Sequence, residues 1–99
     1  MFKRFGTREY PPTGLNTGLW MKLPLTNVPI EELVTTQEHI YIRDILGKVL
    51  KPSVSGDEFP HVVSWNGTFY LEDGHHRAVR AIIEGKNYLQ ARVFKIEEN

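Results

Sequence analysis

The sequence contains no cysteine, no excess of charge of either sign and no long apolar run. Without cysteine the chain can form no disulfide, no thiolate metal site and no cysteine nucleophile. Its twelve basic residues balance its twelve acidic ones, which argues against bulk electrostatic attraction to nucleic acid as the main activity. No stretch approaches the roughly 20 apolar residues of a membrane span, and no signal peptide is evident. We therefore expect a cytoplasmic protein.

A length of 99 residues predicts a single domain with a modest core. Its charges are unevenly distributed, because residues 1–22 contain four basic residues and one acid, a balance of +3, whereas the remainder carries −3. We divide the chain into an N-terminal arm over 1–18 and a domain over 19–99. The arm offers a contact to nucleic acid or to a host or phage protein, and a solubilising tail is the simpler interpretation.

Hydrophobic periodicity predicts an alternation of short strands and helices, which indicates a mixed α+β domain. The predicted elements, in chain order, are a strand over Leu19–Leu25, a helical turn over Thr26–Leu33, a helix over Ile40–Leu50, strands over His61–Trp65 and Thr68–Leu71 joined by Asn66-Gly67, a helix over Gly74–Gly85, and a strand over Tyr88–Ile96. Asn-Gly between two apolar runs is the strongest local signal for a β-hairpin. We predict a hairpin that leads directly into the Gly74–Gly85 helix.

The start of that helix contains the only dense cluster of reactive side chains in the sequence. Asp73 is the predicted N-cap, and the free amides after it, together with the partial positive charge of a helix start, favour an anion. Arg77 and Arg80 are three residues apart, so they add donors suited to phosphate. The predicted phosphate-binding residues are Gly74, His75, His76, Arg77 and Arg80, and His76 is the catalytic candidate, as a hydrogen-bond donor or general base.

Two other interpretations of this cluster remain open. In the structural one, Arg77 pairs with Glu72 or Asp73, and His75 packs against Tyr70 to lock the turn. In the other, Asp73 and the two histidines bind a metal ion for nuclease chemistry. Adjacent histidines on a helix point about 100° apart, so a shared ion is disfavoured and we predict no metal site.

Several motifs together resemble the ParB/sulfiredoxin superfamily: Phe59-Pro60-His61-Val62-Val63-Ser64-Trp65, Asn66-Gly67-Thr68-Phe69-Tyr70-Leu71, Asp73-Gly74-His75-His76-Arg77-Ala78, and Gly85 before the strand Leu89–Phe94. The chain is most similar to the short ParB-like nuclease-type domains of phages and actinobacteria. The resemblance implies a single small domain with a mixed sheet and a turn that handles phosphate. It also implies a nucleoside triphosphate with magnesium as the candidate cofactor, and nuclease or NTPase chemistry as the enzyme activity to test.

The departures from that superfamily argue against two of its known functions. Sulfiredoxins have a catalytic cysteine where this chain has His75, so sulfiredoxin chemistry is excluded. Partition ParB proteins have Gly-Glu-Arg-Arg in the turn and a helix-turn-helix domain, neither of which occurs here, so we do not expect a complete partition protein. Our first hypothesis is a phage-encoded ParB-like domain that binds a nucleotide or nucleic acid at Gly74–Arg77. The alternative is a non-enzymatic protein that binds a host protein, and the third is a metal-dependent nuclease.

Overall fold

The computed structural model describes residues 2–5, 8–36 and 57–97. Within these ranges the strands are β1 (Arg4–Phe5), β2 (Leu25–Pro29), β3 (Leu33–Thr35), β4 (His61–Trp65), β5 (Thr68–Asp73) and β6 (Tyr88–Lys95), and the helices are α1 (Thr17–Trp20), α2 (His75–Ile83) and a 3-10 turn (Ile30–Glu32). These six strands form one mixed sheet in the order β1-β3-β5-β4-β6-β2. The helix predicted over Ile40–Leu50 lies outside the described residues. The α+β prediction is confirmed.

The β4–β5 hairpin forms as the sequence predicts. Asn66 and Gly67 both have positive φ angles, 51° and 73°, which is the backbone of the two-residue turn that matches the twist of paired strands. The strands pair antiparallel, with Val63 opposite Tyr70. The hairpin then continues through Gly74 into α2.

One face of the sheet, the helix face, is covered by α2. Leu33, Val62 and Leu71 are fully buried there against Ala78 and Ala81 of the helix. Adjacent residues of a strand point to opposite faces, so the residues next to these three in sequence point away from α2. The small alanines let the helix lie close to the sheet, and this packing fixes the position of the α2 N-terminus.

The opposite face, the arm face, is covered by the N-terminal part of the chain. Tyr10 and Trp20 are buried against Val34, Val63 and Tyr70, which belong to three neighbouring central strands. Residues that the sequence suggests as an arm therefore contribute to a second core. The sheet is buried on both faces by parts of the same short chain.

The first predicted strand, Leu19–Leu25, is wrong over most of its length. Its beginning belongs to α1, because the side chain of Asn16 accepts a hydrogen bond from the Leu19 amide at 2.9 Å and caps the helix. The strand begins only at Leu25, where pairing with β6 starts. The same pairing makes the first half of the predicted helical turn over Thr26–Leu33 a strand, since neighbouring strands override a local helical preference. The helical turn itself is limited to the 3-10 turn Ile30–Glu32, directly after Pro29.

None of the described helices has the length and apolar character needed to cross a membrane.

Candidate functional site

The buried polar side chains of the described residues gather at one end of the sheet, which we name the polar end. They are Thr35, Asp57, His61 and His75, each no more than 5% exposed. At this end β3 and β5 finish and β4 and α2 begin, since His61 is paired with Asp73. Burying a polar group costs free energy unless the group is hydrogen-bonded, so several buried polar side chains in one place are unusual. The polar end is therefore the candidate site.

Gly74, not Asp73, is the N-cap residue of α2, which corrects the predicted cap. Its φ angle is +89°, a left-handed conformation that glycine adopts most easily. A Cβ atom on Gly74 would lie 2.8 Å from the Cα atom of Pro60. The turn therefore requires glycine for two reasons, its backbone angle and its close contact with Pro60.

His75 is buried at the first position of α2. Only 5% of the residue is exposed, and its Nε2 atom has no hydrogen-bond partner among the described residues. Burial lowers the pKa of His75 from 6.5 to about 4, although the negative charge of Asp73 opposes the change. The imidazole is neutral at pH 7 and supplies no positive charge to an anion, but it retains an unused hydrogen-bonding nitrogen.

The remaining predicted residues are only partly brought together. His76 is half-buried and Arg77 is exposed, and both lie with Gly74 and His75 at the start of α2. Arg80 instead donates from Nε to the Glu84 carboxylate at 3.0 Å, which directs its guanidinium toward the other end of the helix. Gly74, His75, His76 and Arg77 therefore share the beginning of α2, whereas the Arg80 guanidinium is held by Glu84.

The structural interpretation, in which Arg77 pairs with Glu72 or Asp73, is not seen among the described residues. The Glu72 carboxylate accepts a hydrogen bond from the Tyr10 hydroxyl at 2.9 Å and lies 3.6 Å from the Arg8 guanidinium. Arg77 forms no ion pair within the part of the chain that the structure describes, and its side chain is exposed.

A buried charge network at the polar end was not predicted from the sequence. The Asp57 carboxylate binds two groups through Oδ2: His61 Nε2 lies 2.9 Å away and Arg92 Nε donates at 2.6 Å. Arg92 also donates from Nη1 to the carbonyl of Leu23 at 2.8 Å. Trp20 stacks on the His61 ring with a centroid distance of 4.5 Å. The network joins β4 and β6 to the segment between α1 and β2.

Asp57 remains ionised within this network. Burial by itself raises the pKa of the carboxyl, but the hydrogen bonds from Arg92 and His61 outweigh burial, and the pKa is lowered. One weak signal is visible in the sequence, the four-residue spacing of Asp57 and His61 beside a predicted strand. Arg92 lies 35 residues from Asp57, and no local pattern connects them.

Metal ligands are not grouped in the described residues: no three histidine or carboxylate side chains converge there as a possible ion site.

Comparison with known proteins identifies the family. A family model described as "Antitoxin VapB-like" matches residues 1–97. The chain belongs to the antitoxin VapB-like family. Among solved structures it is similar to sulfiredoxin from Arabidopsis thaliana, with a TM-score of 0.51 and 15% identity over 74% of this chain and 86% of that chain. A search of curated proteins found no match.

The sulfiredoxin likeness confirms the fold expected from the ParB/sulfiredoxin motifs. At 15% identity it shows the fold alone. The family that matches is the VapB-like antitoxin family, not the ParB-like nuclease-type domains that the Asp-Gly-His-His-Arg turn most resembles. This member of the antitoxin VapB-like family thus combines a sulfiredoxin-like fold with a sequence that has no cysteine.

Proposed function

We propose that this protein is an antitoxin that binds a protein toxin and holds it inactive, with the sulfiredoxin-like fold as the binding scaffold. The observation that carries the proposal is the family match over residues 1–97, which includes the N-terminal arm, the sheet and α2. It favours the non-enzymatic interaction protein over the ligand-binding domain among the hypotheses from the sequence. A phage origin stays a prediction.

Contacts at the polar end support a scaffold role. Asp57 is held by His61 and Arg92, and Gly74 is packed against Pro60. These groups act on one another and tie distant parts of the chain together. A scaffold held rigid by buried contacts of this kind suits protein binding, since little conformational freedom is lost on association.

A growth assay tests this proposal. Each protein encoded beside this gene would be expressed with and without this chain. We expect one neighbour to arrest growth, co-expression to restore it, and the two proteins to co-purify. A Val63→Asp variant is the control, because a charge at this fully buried position should unfold the scaffold and abolish the rescue. Arrest that persists with the folded chain present, or no toxic neighbour, would contradict the antitoxin role.

We also propose, as a second candidate, that the start of α2 binds a phosphorylated ligand, such as a nucleoside triphosphate with magnesium or a nucleic acid end. The unpartnered and buried Nε2 atom of His75 favours it, since such atoms usually have a partner. Arg77 is exposed in the same first turn of α2, and His76 offers a further ring nitrogen there. The partial positive charge of a helix start adds to the attraction.

Thermal unfolding with nucleoside triphosphates or inorganic phosphate, with and without magnesium, tests the second candidate. We expect ligand to raise the midpoint for the wild type and not for Arg77→Ala. Arg80→Ala is the matched control, because it removes the same charge from a side chain that is paired with Glu84. The absence of any shift at millimolar ligand, or equal loss in both variants, would argue against this site.

A further inference from the structure

β2 forms one edge of the sheet and pairs only with β6 in the described part of the chain. Its sequence, Leu25-Thr26-Asn27-Val28-Pro29, contains no charged residue, and its first three side chains are exposed. Edge strands that must stay unpaired usually have charges or bulges that block another strand. In β2 the only such device is the terminal proline. The strand is therefore suited to pairing with a further strand.

Backbone geometry shows which groups of β2 face outward. Ile30 donates its amide to the carbonyl of Asn87 at 2.9 Å, and hydrogen-bonded pairs alternate with non-hydrogen-bonded pairs along antiparallel strands. Arg92, the partner of Leu25 in the register, donates its amide to Pro60 on the other side of β6. Leu25 and Asn27 therefore direct their amides and carbonyls away from the sheet.

Exposed apolar side chains occur at both ends of β2. Leu19 and Met21, which precede the strand in the chain, are 43% and 49% exposed, and Leu25 at its start is 37% exposed. At the other end, Tyr88 is 58% exposed and is paired with Pro29. Large exposed apolar side chains favour contact with another protein surface.

Charges at the two ends of β2 indicate how a second strand would run. Lys22 precedes the strand, whereas Glu31 and Glu32 follow it, and all three are exposed. A second copy of β2 in antiparallel orientation would bring lysine close to the glutamates at both ends, whereas a parallel copy would bring like charges together. Because the formal net charge is zero, two copies do not repel each other overall.

We propose that β2 is a homodimer interface, in which β2 of a second copy adds antiparallel around a two-fold axis at Thr26. Leu25 of each copy then exchanges both backbone hydrogen bonds with Asn27 of the other. A surface depression lined by Pro29, Glu31, Asn87 and Tyr88 lies at the C-terminal end of β2. The sheet continues across both molecules.

The purified chain tests this proposal by light scattering and sedimentation, with a mass of twice 11.5 kDa expected. Asn27→Pro removes an outward amide and leaves the bonds to β6 in place. It should raise the dimer dissociation constant roughly tenfold or more, since a hydrogen bond is lost in each half of the interface. Asn27→Ala, the matched control, retains the amide and should change the constant by no more than about threefold.

A charge exchange provides a second measurement if Asn27→Pro does not fold. Lys22→Glu should weaken the dimer, and combining it with Glu31→Lys and Glu32→Lys should restore it. A monomer at every concentration, or a dimer that neither series changes, overturns the proposal. If the chain is a monomer and Asn27→Pro abolishes toxin binding, the β2 edge binds the toxin instead of a second copy, and the dimer proposal is overturned. The proposal is independent of the antitoxin role, because a monomer that still relieves growth arrest rejects only the dimer.

Discussion

Gly74 links β5 to α2 in a backbone conformation that residues with a Cβ atom avoid. We expect Gly74→Ala to lower the free energy of unfolding by about 2–4 kcal/mol, because left-handed strain adds to overpacking against Pro60. Gly85→Ala is the control: its φ is +76° but its Cβ would meet nothing within 4 Å, so it should cost only about 1 kcal/mol. Urea denaturation measures both. Equal losses would mean that Pro60 moves aside.

His75 should make stability depend on pH between about 6.5 and 4. Its pKa is lowered to about 4 in the folded protein, so the unfolded chain binds more protons in this window. The stabilisation is complete above 6.5 and is lost as the pH falls, by about 3 kcal/mol in total. Urea denaturation at pH 7, 6 and 5 should show this slope in the wild type and not in His75→Phe. A slope that persists in the variant would assign the effect to another group.

Asp57 neutralises the largely buried guanidinium of Arg92, which is 14% exposed. We expect Asp57→Ala to cost about 3–5 kcal/mol in unfolding free energy, because it leaves a buried charge without its partner. Arg80→Ala, which breaks an exposed ion pair with Glu84, should leave the denaturation midpoint nearly unchanged. Since the pKa of Asp57 is lowered, its contribution is present above 3.8 and is lost as the pH falls through the folded value. A small loss in Asp57→Ala would show that water reaches Arg92.

At the scale of elements, the N-terminal segment and β5 are joined by two reciprocal hydrogen bonds. The Tyr10 hydroxyl donates to Glu72 at 2.9 Å, and the Tyr70 hydroxyl donates to Glu9 at 3.0 Å. The two rings contact each other with centroids 5.3 Å apart. Burial and the charge of Glu72 raise the pKa of Tyr10, so its hydroxyl stays protonated as the donor. The segment is thereby held on the arm face.

Substitutions at Tyr10 should separate the two parts of this contact. Tyr10→Phe removes only the hydroxyl and should cost about 1–2 kcal/mol. Tyr10→Ala also leaves a cavity in the second core and should cost about 3–5 kcal/mol. Chemical denaturation of both variants measures the difference. If the two losses are similar, the ring contributes little and the arm face is held by other residues.

Local sequence predicted some elements better than others. The β4–β5 hairpin was predictable because Asn66-Gly67 determines the turn without help from the rest of the chain. α1 was missed because two local signals conflict. Asn16 is a good helix cap, whereas the alternation over Leu19–Leu25 favours a strand. In the structure the Trp20 ring stacks on the His61 ring of β4, and this contact stabilises the helical conformation. Leu25–Pro29 likewise forms a strand because it pairs with the distant β6.

At the scale of the whole molecule, a 99-residue chain covers both faces of its sheet. Small domains have little burial to spare. We expect deletion of residues 1–16 to abolish the cooperative thermal transition seen by circular dichroism, because Val34, Val63 and Tyr70 lose the cover of Tyr10. Deletion of residues 1–7, which retains Tyr10, should lower the midpoint and keep the transition cooperative. A cooperative transition after the longer deletion would show that the arm face tolerates solvent.

The sequence by itself determined the α+β class, the hairpin and the extent of α2, because turn residues and side-chain periodicity act over a few neighbouring positions. It also excluded thiol chemistry, since it has no cysteine. Only the tertiary structure decided that Gly74 faces Pro60, that His75 is buried and neutral, and that Asp57 joins Arg92. Contacts such as Tyr10 with Glu72, 62 residues apart, depend on how the strands pair. Pairing is a property of the whole sheet, because burial on both faces decides which distant residues meet.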